Sequence, residues 1–326
     1  MATLQQVKDA IVEEGAEVKA FVDSLSPSPP PLGRLAFAGA PLGSGQISRL
    51  LDNVYIDGLA LGCKWLVLEP GFGVFDWAAL DAALNIAKEH GKQCALYVSA
   101  HSETGAAIAA WIKAAGIQTY TALNFLGKTH EYPVPWDSIY LGKFTAFLAE
   151  LSTHLEVAGF LRTVTRVGVS APANEMTIPG CPISGQAYDR AIYLAAWKQM
   201  IDAYQFAFSS AVKHICAPTG GICGRDNDAT FYRDVMAYAP SSFVLFATDL
   251  RVDGSARMRP YLDLVGGRSL ALQPIWYVTG DTTNRVGGTV QQMVDAGIAL
   301  GADYIEIYSA DVLNPDPLVQ AAIKEI

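Results

Sequence analysis

A chain of 326 residues in which 51% are hydrophobic and 17% charged can bury a large core, which excludes the disordered and collagen-like classes. Its net charge of -9 and pI near 5.0, with no run of basic residues, exclude a nucleic-acid backbone or an anionic membrane surface as the main partner. No cationic start precedes an apolar core, and no apolar run reaches the ~18 residues that span a bilayer, so neither a secretion signal nor a membrane anchor is expected.

The first segment has a heptad pattern. Leu4, Val7, Ile11, Glu14, Val18, Phe21 and Leu25 recur at alternating steps of three and four, an a/d seam interrupted once by Glu14. One reading is a coiled-coil-like oligomerisation stalk, with a homotrimer favoured; the other is a lone amphipathic helix packed on the body of the protein. The extended spacer Ser26-Pro27-Ser28-Pro29-Pro30-Pro31 favours the stalk, because a helix that only covered a neighbouring surface would not need a stiff connection. The expected organisation is a helix over 1–25, a linker over 26–32 and one large domain over 33–326.

After Gly33, short β-branched or aromatic runs alternate with helical stretches, the mark of parallel βα units. Strands are predicted at 35–38, 65–68, 94–99, 166–170, 214–217, 243–248, 270–273 and 304–308, with helices at 78–90, 105–115, 138–158, 188–212, 231–237 and 289–300. That number of strands closes a (β/α)8 TIM barrel, an α/β fold that reaches roughly 250 residues as one domain. The runner-up, an open doubly wound sheet, expects a phosphate loop after its first strand. Gly39-Ala40-Pro41-Leu42-Gly43-Ser44-Gly45 has neither the GxGxxG nor the GxxxxGK[ST] order.

Cys63, Cys94, Cys181, Cys216 and Cys223 are odd in number and scattered. Buried free thiols are expected, with one disulfide among the three loop-proximal cysteines left open. No CxxC occurs, and His90, His101, His130, His154 and His214 do not cluster near the thiols, so neither a metal nor another cofactor is expected.

In a barrel of this kind the site lies at the C-terminal ends of the strands. There the sequence places Glu69, His101, Glu103, Asn174, Glu175, Asp249, Gln273, Glu306, Tyr308 and Asp311, accompanied by Phe72, Phe75, Trp77, Trp136, Trp276 and Tyr277. Carboxylates among aromatic faces suit sugar chemistry, since rings stack on the apolar face of a sugar while carboxylates move protons and stabilise an oxocarbenium-like transition state.

Val167-Gly168-Val169-Ser170-Ala171-Pro172-Ala173-Asn174-Glu175 follows the fourth predicted strand. Here the chain resembles the retaining (β/α)8 glycoside hydrolases of the large clan that contains cellulases, β-mannanases and β-galactosidases. The resemblance implies that Glu175 is the general acid/base and Asn174 its substrate-binding neighbour. A second stretch, Leu68-Glu69-Pro70 through Gly73-Val74-Phe75-Asp76-Trp77, is similar to the segment after strand two of β-galactosidase-like members. The clan also places a nucleophilic Glu at the end of strand seven, and this chain departs there: Gln273-Pro274-Ile275-Trp276-Tyr277-Val278-Thr279-Gly280-Asp281 holds no glutamate. Asp281 or another carboxylate substitutes, the strand count slips by one, or the barrel only binds.

On the last strand Ile305 and Ile307 alternate with Tyr304, Glu306 and Tyr308, which aims Glu306 into the barrel if the isoleucines face the helices. Glu306 is therefore the preferred second catalytic acid, with a structural ion pair as the competing role. Glu69, His101, Asp249, Trp276 and Tyr308 are expected to join Asn174 in substrate binding, although Glu69 could equally anchor its loop and Asp249 could pair with Arg251. Stalk, spacer and barrel together look like a bacteriophage tail-associated protein, virion-borne and acting extracellularly on a bacterial cell-wall or surface polysaccharide, with a cytoplasmic location as the alternative. A non-catalytic glycan-binding barrel is the second functional hypothesis.

Overall fold

The structure, a computed structural model, describes residues 35–41, 43, 45–99, 110–123, 129–170, 189–217, 229–253, 262–263 and 267–326. The expected N-terminal helix and its linker lie outside these residues, as do His101, Asn174 and Glu175. The strands are β1 (Leu35–Pro41), β2 (Gly58–Lys64), β3 (Gln93–Ser99), β4 (Thr119–Leu123), β5 (Thr129–Pro133), β6 (Val164–Val169), β7 (Val212–Ala217), β8 (Val244–Leu250), β9 (Leu270–Pro274) and β10 (Tyr304–Tyr308). Eight of them close a parallel barrel in the order β1-β10-β9-β8-β7-β6-β3-β2, while β4 and β5 form a separate antiparallel hairpin.

Helices between the strands start where the sequence supplies caps. The side chain of Asp137 accepts from Tyr140 N at the head of Ser138–Val157, and Asp189 accepts from Ala191 N and Ile192 N at the head of Arg190–Ala207. Thr289 and Gln292 form a reciprocal capping box for Val290–Ala299. The helix expected to run from 188 to 212 ends at Ala207, because Phe208 leaves helical geometry and β7 begins at Val212.

The second barrel strand is not at 65–68. That run is a helical turn, Trp65–Leu68, in which Trp65 and Leu68 are buried three residues apart while Val67 is exposed. The strand is the preceding Gly58–Lys64, whose axis-facing positions Gly58, Ala60 and Gly62 carry almost no side chain. Small residues are required there: a Cβ on Gly58 would lie 2.5 Å from the ring of Phe37. Trp65 instead anchors the outer shell, packed edge-on against Trp111 and Phe144 at ring-centroid distances of 5.3 and 5.2 Å.

Two apolar shells result. The outer one lies between strands and helices, and the inner one on the barrel axis contains Phe37, Tyr97, Phe246 and Tyr304. Gly168 on β6 makes room for Tyr97, whose hydroxyl is hydrogen-bonded to His214 Nδ1 at 2.8 Å. Burial, with Arg166 adding to it, pushes the His214 pKa down to about 3, so its imidazole is neutral. Arg166 is itself buried on the axis, over the rings of Phe37 and Tyr304, and donates to Gln93 Oε1 at 3.0 Å. Burial likewise lifts the Cys94 thiol to about 12, and Cys63 is buried as well, its Sγ donating to Tyr97 O at 3.6 Å. Among the described residues no helix is long and apolar enough to cross a membrane.

Candidate active site at the barrel mouth

Side-chain alternation on β10 orients the site. Ile305 and Ile307 pack in the outer shell and Tyr304 in the inner one, so Glu306 faces the axis above Tyr304, with Tyr308 one step nearer the mouth. Tyr304 pairs with Ala271 and Ile305 with Leu272, which sets Gln273 of β9 level with Glu306. Gln273 Nε2 donates to Glu306 Oε1 over 2.6 Å. On the other flank Gly39 of β1 leaves space for the carboxylate, since a Cβ there would lie 3.0 Å from Oε1.

β8 reaches the same level through a register shift between Ala247 and Leu250. Both residues pack in the outer shell although they are three apart, so the extra residue returns Asp249 to the axis side. Leu250 pairs with Pro274, which puts Asp249 level with Gln273. Asp249 is buried; its Oδ1 accepts from Arg251 Nε at 2.9 Å, and its Oδ2 has no hydrogen-bond partner among the described residues. Two strand spacings of about 4.8 Å therefore separate the backbones of Asp249 and Glu306, with Gln273 between them.

An aromatic wall stands beside these groups. Asp311, fully buried just after β10, accepts from Val278 N at 2.9 Å and from Thr279 N and Thr279 Oγ1 at 2.6 Å, tying the loop after β9 to the end of β10. The loop so held sets Trp276 and Tyr277 against Tyr308, with ring centroids 6.1 and 6.4 Å apart. All three rings are partly open to solvent.

The fold thus gathers four of the sequence-derived candidates, Asp249, Glu306, Trp276 and Tyr308, at one sector of the mouth. Glu69 is placed differently: its buried carboxylate accepts from Trp65 Nε1 at 2.7 Å and Gly73 N at 2.8 Å, which folds the loop after β2. Asp249 and Arg251 are not a surface pair, since the aspartate is only 2% exposed. Gln273 acquires its significance only from the register that pairs it with Glu306. Arg285 was not singled out in the sequence; its guanidinium lies 4.4 Å from the Trp276 ring centroid, a contact across a loop that no local spacing reports. Among the described residues no group of side chains could hold a metal ion.

No family model matches this chain, and no curated protein does. Among solved structures, the catalytic domain of beta-amylase from Paenibacillus polymyxa aligns with a TM-score of 0.66 at 12% identity, over 90% of this chain and 97% of that one. The exo-beta-1,4-mannosidase Op5Man5 from Opitutaceae bacterium strain TAV5 aligns with a TM-score of 0.54 at 12% identity, over 89% of this chain and 55% of that one. The chain thus spans about half the length of that mannosidase. At such identity the likeness is one of fold: the chain shares the parallel eight-stranded barrel of these two proteins.

Proposed function

We propose that the protein is a glycoside hydrolase of a bacterial cell-wall or surface polysaccharide, with Glu306 and Glu175 as its two acids. The observation that carries this reading is Glu306 itself, a buried carboxylate on the axis at the mouth, hydrogen-bonded by Gln273 and beside an open aromatic wall. A mouth lined with rings is where a sugar would meet such a carboxylate. Glu175, after β6, supplies the proton-transferring partner. Asp249, across Gln273, is buried with an Oδ2 that has no hydrogen-bond partner among the described residues, which supports a role for it in holding a sugar hydroxyl. The virion-borne trimer expected from the N-terminal heptads is part of the same proposal, and sedimentation of the chain with and without residues 1–31 tests it.

The test is release of reducing ends from purified cell-wall and capsular polysaccharides by the full chain and by Glu306→Gln and Glu175→Gln. Hydrolysis should fall by about 100-fold or more in each variant while near-ultraviolet circular dichroism stays unchanged. Hydrolysis unaffected by Glu306→Gln would remove that residue from the mechanism. The anomer released, read by proton NMR, separates a retaining pair of carboxyls about 5–5.5 Å apart from an inverting pair about 6.5–9.5 Å apart.

A second reading is favoured by one specific feature. The seventh barrel strand carries Gln273 as its last axis-facing residue, an amide that cannot act as a nucleophile, where the resembling clan has glutamate. In that reading the barrel binds glycan without cleaving it, and the same preparation retains polysaccharide affinity with no reducing ends released.

A further inference from the structure

The loop after β9 fixes one cation above the aromatic wall. Asp281 accepts from Thr283 N at 2.9 Å, Thr283 Oγ1 at 2.5 Å and Arg285 N at 2.8 Å, and Asn284 takes a left-handed backbone at φ 48°. Val252 N donates to Val286 O at 2.9 Å, so the segment after β8 holds the same turn from its other side. Arg285, pinned on both flanks, lays its guanidinium over Trp276, and Trp276 leans on Tyr308, two residues from Glu306 on the same strand.

That guanidinium is exposed, and no carboxylate forms an ion pair with it among the described residues. Asp281 is its neighbour; the carboxylate oxygens are engaged by Thr283 and by the backbone N–H of Arg285, and these bonds, with a smaller contribution from the Arg285 charge, hold Asp281 below the usual carboxylate range. Stacking uses the flat face of a guanidinium and leaves the in-plane N–H fork open, the geometry that grips a carboxylate or phosphate with two parallel hydrogen bonds. A neutral sugar ring would want the indole face that the arginine covers. With a net charge of -9 the protein repels anions at long range, so an anionic group could be held at this mouth only by a local cation.

We propose that Arg285, seated on Trp276, binds an anionic substituent of the glycan, a uronic-acid carboxylate or a sugar phosphate, at the rim of the mouth. The assignment rests on the glycan reading above and narrows it to acidic polysaccharides. Substrate selection then falls to a residue outside the reacting acids: Arg285 fixes which sugar lies next to the one at Glu306.

Affinity electrophoresis of the full chain tests it, in gels containing polygalacturonate, its methyl ester as the neutral match, or a phosphomannan. The unaltered protein should bind at least one anionic polymer about tenfold or more tightly than the ester, and added salt should weaken the anionic binding more. Arg285→Ala should abolish the preference and Arg285→Lys should retain part of it, because a lysine keeps the charge without the fork. Arg162→Ala, an exposed arginine just before β6 at the opposite end of the barrel, is the control and should keep the preference. Retardation by polygalacturonate alone assigns the carboxylate, and by phosphomannan alone the phosphate. Equal retardation by acid and ester, or a preference unchanged in Arg285→Ala, overturns the anion subsite while leaving the glycan reading intact. A protein retarded by no polysaccharide at all, in these gels or in ones carrying cell-wall glycans, overturns both.

Discussion

Replacing Gly168 by alanine puts a methyl group where the ring of Tyr97 lies. The added Cβ would sit 2.1 Å from Cδ1 and 2.7 Å from Cε1 of that ring, whereas carbons in contact prefer about 3.5–4 Å. The ring must therefore retreat by well over 1 Å, and it has nowhere easy to go, being stacked on Phe246 with centroids 5.5 Å apart. Overpacking of this kind costs about 1–3 kcal/mol. The same displacement breaks the 2.8 Å bond to His214 Nδ1, and a nitrogen buried at 1% exposure without a partner costs about 1–3 kcal/mol more. Urea unfolding of Gly168→Ala should accordingly show a loss of about 2–6 kcal/mol, and Tyr97→Leu in the same background should recover part of it by removing the obstructing ring. A Gly168→Ala protein within ~0.5 kcal/mol of the parent would refute the packing argument, because surface substitutions already scatter by that much.

Acid should destabilise the barrel partly through His214. Its folded pKa of about 3 lies below the unfolded 6.5, so stability is complete above pH 6.5 and falls as pH drops toward 3, by about 1.4 kcal/mol per unit for one proton. The stability–pH profile of His214→Gln should be flatter by one proton between pH 6 and 4, and parallel profiles would count against a buried neutral imidazole. Gln273→Glu sets a second carboxyl against Glu306, where Gln273 Nε2 is now 2.6 Å from Oε1, and raises one pKa of the pair. A raised acid loses stability as pH climbs above the unfolded value, so this variant should lose about 2–4 kcal/mol relative to the parent between pH 4 and 7. Equal stability at both pH values would separate the two side chains. Asp311→Ala releases three donors, Val278 N, Thr279 N and Thr279 Oγ1, and should cost about 3–5 kcal/mol while exposing the 275–288 loop to limited proteolysis. An intact loop in that variant would show that Asp311 does not hold the aromatic wall.

Much of the barrel was legible because its outer shell leaves a mark in sequence. Ile305 and Ile307 alternate with Tyr304 and Glu306, so both the strand and the direction of Glu306 followed from period-two spacing. β2 was missed for the opposite reason: its axis positions are Gly58, Ala60 and Gly62, chosen by the size of Phe37 on the neighbouring strand, and glycines read as a loop. The compact apolar run beside it looked like a strand until the burial of Trp65 and Leu68 showed a helical face. Asp249 required the register shift in β8, and Gln273 required the pairing of β9 with β10, neither of which is a property of one segment. Glu69 and Asp311 carry the same residue types as a catalytic acid. Only their partners, loop donors in both cases, reveal that they hold the loops after β2 and β9 in place.

The two levels of the axis divide the work of the barrel. Around its middle Phe37, Tyr97, Phe246 and Tyr304 fill the axis, with Arg166 among them and His214 held neutral, so no ligand can pass through. Above that plug the lining becomes lopsided. β8, β9 and β10 present Asp249, Gln273 and Glu306, while β1 and β2 present Gly39 and Gly62; a Cβ at Gly62 would meet nothing within 4 Å among the described residues. The polar groups and the rings of Trp276 and Tyr308 therefore stand on one wall of the mouth. β6 stands across the barrel from β10, four strands away, and Glu175 follows it in the sequence. On the proposed reading the two acids belong to opposite sectors of the mouth, the flanking arrangement that glycosidic cleavage by two carboxyls needs.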